Sequence, residues 1–327
     1  MGHLGGPRLA ALLLAAGIAS GLAGEAPAQT YPSGQIRMFS GFAAGGTVDI
    51  VARDIAAELE RVWGQPVIVE NRPGANGATA TAALAKSKPD GQTLMVVVSG
   101  HITNSLLYQN LGFDPLKDVV PVSLIAASPL LVFAHPSFAP SDIKSLVALA
   151  REKPSTLSYS TPGTGSIQHL SMELLSYLAQ IKLIHVPYRG GAPALNDVLA
   201  GHVPLSVLSV FQALSLVQEK RLKPLAVTSS GRTDALPDVP SMAESGVPGY
   251  EAELWFGLIA PAGTPDDIVA KLNAAVVRYI KTPETNARLA AQGARPIGST
   301  PAEFAALLRS EQDKWSRLFK EANIKGE

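Results

Sequence analysis

Residues 41–53, GFAAGGTVDIVAR, place Gly41, Gly45, Gly46 and Thr47 directly before an apolar-periodic stretch, and residues 160–169, STPGTGSIQH, repeat the device with Gly163, Gly165 and flanking hydroxyls. A strand, a glycine turn and a helix N-terminus together make an anion site. The first N–H groups of a helix lack intrahelical partners, and the helix dipole favours negative charge there. Gly41 and Gly46 have the glycine spacing of a phosphate loop, but the next residue is Thr47, where that chemistry needs a lysine. Gly163 and Gly165 begin a G-x-G-x-x-G whose sixth position is Gln168. A carboxylate fits better. Ser160, Thr161, Thr164 and Ser166 surround the second turn and Ser40 and Thr47 flank the first, so both offer neutral donors instead of fixed cations. The alternative is that the glycines only permit tight turns and the hydroxyls only cap helices.

No catalytic constellation competes with this reading. The chain lacks G-x-S-x-G, H-E-x-x-H and cysteine, and its six histidines show no metal-ligand spacing. An enzyme, a metal and a cofactor are therefore not expected. His101, after Gly100 at a strand end, and His169, after the second glycine turn, are candidates for ligand contact or for structural hydrogen bonds. Asp49 sits in the first turn of its helix, where it caps the helix or orders the glycine loop. Trp255-Phe256-Gly257 is a candidate for core packing, a hinge or an aromatic wall of the cleft, with core packing favoured.

The elements that must position these residues read as repeated α/β units. Ile36–Phe39, Pro66–Glu70 and Leu94–Val98 are strand-like, and helical patterns lie between them, the first closing at Trp63-Gly64. The order is β-α-β-α-β, which builds a parallel sheet with helices on both faces. Leu130–Ala134, helical Asp142–Glu152, Leu157–Ser160, helical Ile167–Ala179 and the segments KLIHVPY, ALNDVLAGH, VPLSVLSV and KPLAVTSS form a second unit. A Pro/Gly-rich stretch leads to the strand AELWFGLIAP and three helical segments. In open α/β sheets, the crevice beyond the carboxyl ends of the strands binds ligands.

With 327 residues, 46% of them hydrophobic and 17% charged, the chain can bury a core in about two domains. Net charge is 0 and no long Lys/Arg run exists, which sets nucleic-acid binding aside. Arg8, the apolar run Leu9–Leu22 and Ala26-Pro27-Ala28 have the layout of a signal peptide over residues 1–28, so export to the periplasm is expected. The apolar run is too short to span a bilayer.

These residues in this order resemble the Bug family, the solute receptors of tripartite tricarboxylate transporters. The matching stretches include YPSGQIRMFSGFAAGGTVDIVAR, GQPVIVENRPGANGATA, LSYSTPGTGSIQHL, HVPYRGGAPALNDVLAGHV, LAVTSSGRTDALPDVPSMAESGVPGYE and WFGLIAPAGTP. The resemblance implies a two-domain periplasmic binding protein of Venus-flytrap type, each domain a mainly parallel sheet flanked by helices. Domain 1 would comprise residues 29–128 and 252–327, and domain 2 residues 129–251. It implies a monomer that binds a small organic acid, such as a dicarboxylate or aromatic acid, and delivers it to a membrane permease of one small and one large subunit. A receptor presenting its ligand to a membrane sensor is the alternative. The ligand site implied comprises Phe42, Gly45, Gly46, Thr47 and Asp49 on the first loop, with Ser99 and Asn104 after the next strand; His101 is added from its own position at that strand end. Ser160, Gly163, Thr164, Gly165, Ser166 and His169 belong to the second loop, with Tyr188 and Arg189 at the following strand end. Two departures stand out: Val48 replaces a hydroxyl before the loop aspartate, and Leu208 stands where many members carry an aspartate. Leu208, taken as a ligand contact, would make the distal pocket less polar.

Overall fold

The computed structural model describes residues 1–2, 31–108 and 110–321. The chain parts into Met1–Ser33 and Gly34–Glu327, and every element named below lies in the second unit. From residue 3 onward, the expected signal peptide falls outside the described residues.

The strands are β1 (Ile36–Ser40), β2 (Val67–Asn71), β3 (Thr93–Val98), β4 (Val119–Ala134), β5 (Ser158–Thr161), β6 (Ile184–Pro187), β7 (Leu205–Ser209), β8 (Lys223–Val227), β9 (Glu253–Pro261) and β10 (Arg295–Pro296). The helices are α1 (Thr47–Trp63), α2 (Ala78–Ala85), α3 (Gly100–Leu107), α4 (Ile143–Glu152), α5 (Ile167–Ala179), α6 (Gly191–Leu199), α7 (Val210–Gln218), α8 (Asp266–Ile280), α9 (Pro283–Ala291) and α10 (Pro301–Glu321).

The sheet runs β2-β1-β3-β9-β4-β7-β5-β6, with β8 and β10 also paired to β4. Its flanks are the two α/β units. β1 pairs parallel with β2 and β3, and β5 pairs parallel with β6 and β7. The centre is antiparallel: β9 lies between β3 and β4, and the far end of β4 continues into pairs with β7 and β8. The fold is thus mixed α/β, with the antiparallel pairs supplied by strands that join one half of the sheet to the other.

Local chemistry accounts for the flanks. All six residues of β3 are buried, as expected for an inner strand covered on both faces. In α1, Val48, Val51, Ala52, Ile55, Ala56 and Leu59 bury one helical stripe, and Gly64 ends the helix in the left-handed conformation at φ 66°. Each half has its own core. Phe39, Met95, Val97, Trp255, Ile259 and Phe304 belong to one cluster, and Leu131, Phe133, Val198, Leu208, Val210 and Val227 to the other.

The chain passes between halves at a bonded crossing. Thr228 Oγ1 receives a hydrogen bond from Leu130 N at 2.8 Å and donates to the Ala252 carbonyl at 2.6 Å, while Ala252 N donates to the Thr228 carbonyl at 3.1 Å. Ser128 Oγ, beside it, donates to Gly293 O at 3.1 Å.

Gly257 in β9 is required by close packing. It lies opposite Val97 and Leu124, and a Cβ there would stand 2.1 Å from Cζ of buried Phe304 on α10. Gly257→Ala is expected to destabilise the fold by about 1–3 kcal/mol through overpacking. Urea denaturation measures this directly, and an unchanged midpoint would show that Phe304 can yield.

Candidate functional site

β1 ends at Ser40 and hands the chain to the first glycine loop, which Asp49 holds in place. Its carboxylate accepts from Gly45 N at 2.9 Å, from Arg53 Nε at 2.9 Å and from Asn71 Nδ2 at 2.8 Å. Burial pushes the Asp49 carboxyl up, but the three donors outweigh it and its pKa falls below the ordinary value. Asn71 also donates to the Phe42 carbonyl at 3.0 Å, fixing both ends of the turn. Asp49 is thus spent on loop order and lies off the cavity walls. Gly46 caps α1 with no side-chain hydrogen bond.

The second loop is held from both sides. Ser166 caps α5, accepting from His169 N at 3.2 Å and donating to Gly163 O at 2.7 Å. Gly165, at φ 75°, donates its N–H to His169 Nδ1 at 3.2 Å, and its carbonyl accepts from Thr103 Oγ1 of α3 at 2.8 Å. That last bond joins the halves of the sheet through one peptide unit. Leu107 and Asn76 close over the same glycine.

Two cavities meet along these loops. The inner one, about 60 Å³, is bounded by Phe42, Gly46, Thr47 and Val48, by Ser166, Ile167 and Gln168, by residues 189–193, and by Val98, Gln212 and Leu254. The outer one, about 530 Å³, includes Gly163, Thr164 and Tyr188. Phe42, Asn76, Pro162, Arg189 and Gly190 border both. The N-termini of α1, α5 and α6 therefore converge on the inner cavity, and Gly190, like Gly46, provides no side-chain cap. Among the described residues, neither wall carries an aspartate or glutamate. Such a cavity holds an anion on N–H groups and dipoles, with no carboxylate on its described walls to repel it.

The expected site residues thus divide. Phe42, Gly46, Thr47, Gly163, Thr164, Ser166 and Tyr188 line a cavity. Gly45, Gly165 and Asp49 shape the loops behind them. Asn104 pairs with Asn76, its Nδ2 donating to the Asn76 carbonyl at 3.1 Å and its Oδ1 accepting from Asn76 Nδ2 at 3.2 Å.

The remaining expected contacts are placed elsewhere. Ser99 Oγ donates to Glu253 O at 3.3 Å, and Ser160 Oγ donates to Ala194 O at 3.1 Å, so both are committed to backbone. His101 is buried, stacks on Phe113 and shares a 2.9 Å hydrogen bond through Nε2 with the Pro115 carbonyl. Leu208 sits fully buried in the core of its half and lines neither cavity, so the pocket's polarity is set by other residues. Asn76, Gln212 and the Gly190–Pro193 turn were not singled out from sequence. The glycine pair in PYRGGAPA and the Asn-Gly of PGANGA were the available signals, and Asn76 does adopt a left-handed φ of 49°.

Behind the second loop, His169 and His185 stack with ring centroids 4.1 Å apart, and Tyr159 stacks on His185 at 5.2 Å. His185 Nε2 lies 2.6 Å from Thr161 Oγ1, which also accepts from Gly163 N at 3.2 Å. Glu173 accepts from the Tyr159 hydroxyl at 3.0 Å and lies 3.7 Å from His169 Nε2. Burial depresses His169 to about 4, and burial with the neighbouring His169 depresses His185 to about 3. Neutral His169 is what the geometry requires, since Nδ1 must accept the Gly165 N–H.

Residues 51–324 match the family described as "Tripartite tricarboxylate transporter family receptor". The Rhodopseudomonas palustris protein Rpa4515, solved with adipate, superposes with a TM-score of 0.87 at 36% identity, covering 91% of this chain and 100% of that one. The periplasmic binding protein BugD superposes with a TM-score of 0.86 at 32% identity, covering 91% and 100%. MatC (Rpa3494) of Rhodopseudomonas palustris, solved with bound malate, gives 0.83 at 34% identity, covering 88% and 99%. The chain belongs to the tripartite tricarboxylate transporter receptor family. Its fold is that of periplasmic binding proteins, and the family is one of binding proteins, not enzymes.

The histidine pair gives a pH dependence with a definite sign. His101, depressed to about 4 by burial, joins His169 and His185 in taking a proton more readily in the unfolded chain. Their contribution is fully present above the unfolded value of about 6.5 and is lost as pH falls toward their folded values. Burial raises the Glu173 carboxyl, which offsets part of that loss. Thermal stability is expected to fall between pH 6.5 and 4.5, more shallowly in His169→Gln, which keeps an acceptor for Gly165 but does not titrate. Identical slopes for the two proteins would contradict this.

Proposed function

We propose that the protein is a periplasmic receptor that captures a small organic carboxylate between the two halves of its sheet and delivers it to a membrane permease of one small and one large subunit. The observation that carries the reading is the convergence of three helix N-termini on a cavity whose described walls bear no acidic side chain. Each helix end contributes about half a unit of positive charge together with unpaired N–H groups. The anion is thus held with little dependence on side-chain cations. The adipate and malate bound by two relatives of more than 30% identity support a carboxylate as the ligand class.

In this reading, residues 29–128 with 252–327 and residues 129–251 move as two lobes about the crossing at Ser128–Leu130 and Thr228–Ala252. Hinge closure of this kind is an established mode of capture for periplasmic binding proteins. Gly165 is the closing contact, because Thr103 and Leu107 reach it from the other half. Ligand release reverses the motion and needs no covalent step.

Gly165→Val tests the arrangement. A Cβ at this position would stand 1.9 Å from Leu107 Cδ1, on backbone at φ 75° that a β-branched residue disfavours. The variant is expected to fold in the absence of ligand and to lose the thermal stabilisation that mass-spectrometrically identified co-purifying acids, or added adipate or malate, give the unmodified protein. Undiminished stabilisation in the variant would remove the second loop from the site.

A further inference from the structure

The titratable side chains behind the second glycine loop line neither cavity, yet they are built onto the residue where the two halves touch. Gly165 donates its N–H to His169 Nδ1 at 3.2 Å and accepts from Thr103 Oγ1 of the other half at 2.8 Å. With Nδ1 as the acceptor, the proton of neutral His169 sits on Nε2, the nitrogen 3.7 Å from Glu173. Gly163 is tied to the second histidine. Its N–H donates to Thr161 Oγ1 at 3.2 Å, and that oxygen lies 2.6 Å from His185 Nε2.

Among the described residues, the titratable groups facing His169 come from three elements and one loop. Glu173 lies on α5 itself, His185 on β6, and Tyr159 on β5 behind His185. Tyr250, in the segment before β9, donates to the Ser171 carbonyl of α5 at 2.7 Å. Tyr159 donates to Glu173 at 3.0 Å, and burial raises both tyrosines, so neither is charged near neutrality. From α3, the groups that reach Gly165 are the uncharged Thr103 and Leu107. His185 is depressed by burial and by His169, to about 3, so His169 takes the first proton.

We infer that His169 is a proton-operated latch: protonated at Nδ1, it releases the Gly165 N–H and keeps Glu173 as its counter-ion, so acid loosens the contact between the halves and weakens ligand binding. This deepens the receptor reading and rests on it. A proton on Nδ1 turns the acceptor into a donor aimed at another donor, and the loop has to move. Gly165 cannot move without disturbing the Thr103 bond and Leu107, whose Cδ1 would lie 1.9 Å from a Cβ on this glycine. With the contact made, burial holds His169 at about 4. When the halves part, Thr103 and Leu107 withdraw, water reaches the ring, and its affinity for a proton rises toward the ordinary value of about 6.5. The contact is therefore fully available above that value and is lost as pH falls toward 4. By reciprocity, bound ligand makes His169 harder to protonate.

Calorimetry at pH 7.5 and 5.5 tests the latch, using adipate or malate, whichever the unmodified protein binds more tightly. Any protonation of the acid itself weakens binding equally in parent and variant, so the difference between proteins is what counts. The parent's affinity should fall about three- to tenfold more over this range than that of His169→Gln, which does not titrate. Glu173→Gln removes the counter-ion and should move the parent's fall to lower pH. NMR of the ligand-free protein supplies the second readout: the Gly165 amide should shift with the same midpoint as the His169 ring. Melting temperatures at both pH values confirm that each protein is folded. Equal falls in the parent and His169→Gln, or a Gly165 amide that does not follow the ring, would overturn the inference and leave the carboxylate reading intact. If the parent binds no small carboxylate, that reading fails, and the amide titration still decides whether the latch exists.

Discussion

A helix begins with N–H groups that have no partner inside it, and in this protein the ends of α1, α5 and α6 meet at one cavity. Gly46 and Gly190 provide no side-chain cap, which leaves the ends of α1 and α6 without the cap-residue partner that Ser166 gives α5. The surrounding structure follows from this constraint. Parallel strands β1, β5 and β6 deliver the chain to each turn, and acidic side chains nearby are either off the walls or tied up as struts. Asp49 is the clearest case: its negative charge is used to draw the Gly45 N–H, Arg53 and Asn71 into a fixed loop.

In the proposed mode of capture the two halves part and rejoin. The long strand β4 and its partner β9 give them a shared frame, while separate cores keep each half rigid by itself. The contact between them at the second loop is small and specific. One residue, Gly165, is held by His169 through its N–H and by Thr103 through its carbonyl. The stacked histidines behind it are neutral because burial makes them so, and neutrality is the state that can accept that N–H.

Much of this was legible in the sequence. The period of apolar residues placed α1 and the buried strand β3, and α5 runs over the expected Ile167–Ala179. The near half of β4 was not legible, because Pro121 and Pro129 break a strand pattern. The structure accommodates Pro121 with register shifts between Pro121 and Ser123 and between Leu124 and Ala126. Helices α3 and α7, at eight and nine residues, are too short for periodicity to stand out. At the site, the glycine loops were readable because turn chemistry is local. Gln212 and Thr103 were not, since their roles come from long-range approach to Gly191 and Gly165. Leu208 was misplaced for the same reason: its position in the sequence pattern does not say which face of β7 it occupies, and it faces the core.

The central claim is that the cleft recognises a carboxylate through helix N-termini. Comparing adipate with its diamide by thermal shift at pH 7 tests it most directly, because the two share size and shape while the diamide lacks the charge and carries an NH2 donor in place of one acceptor oxygen at each end. The acid at 100 times its dissociation constant should stabilise the protein by about 2.7 kcal/mol, with no matching shift from the diamide at the same concentration. Equal shifts from the two compounds would show that charge plays no part in recognition and would contradict the account.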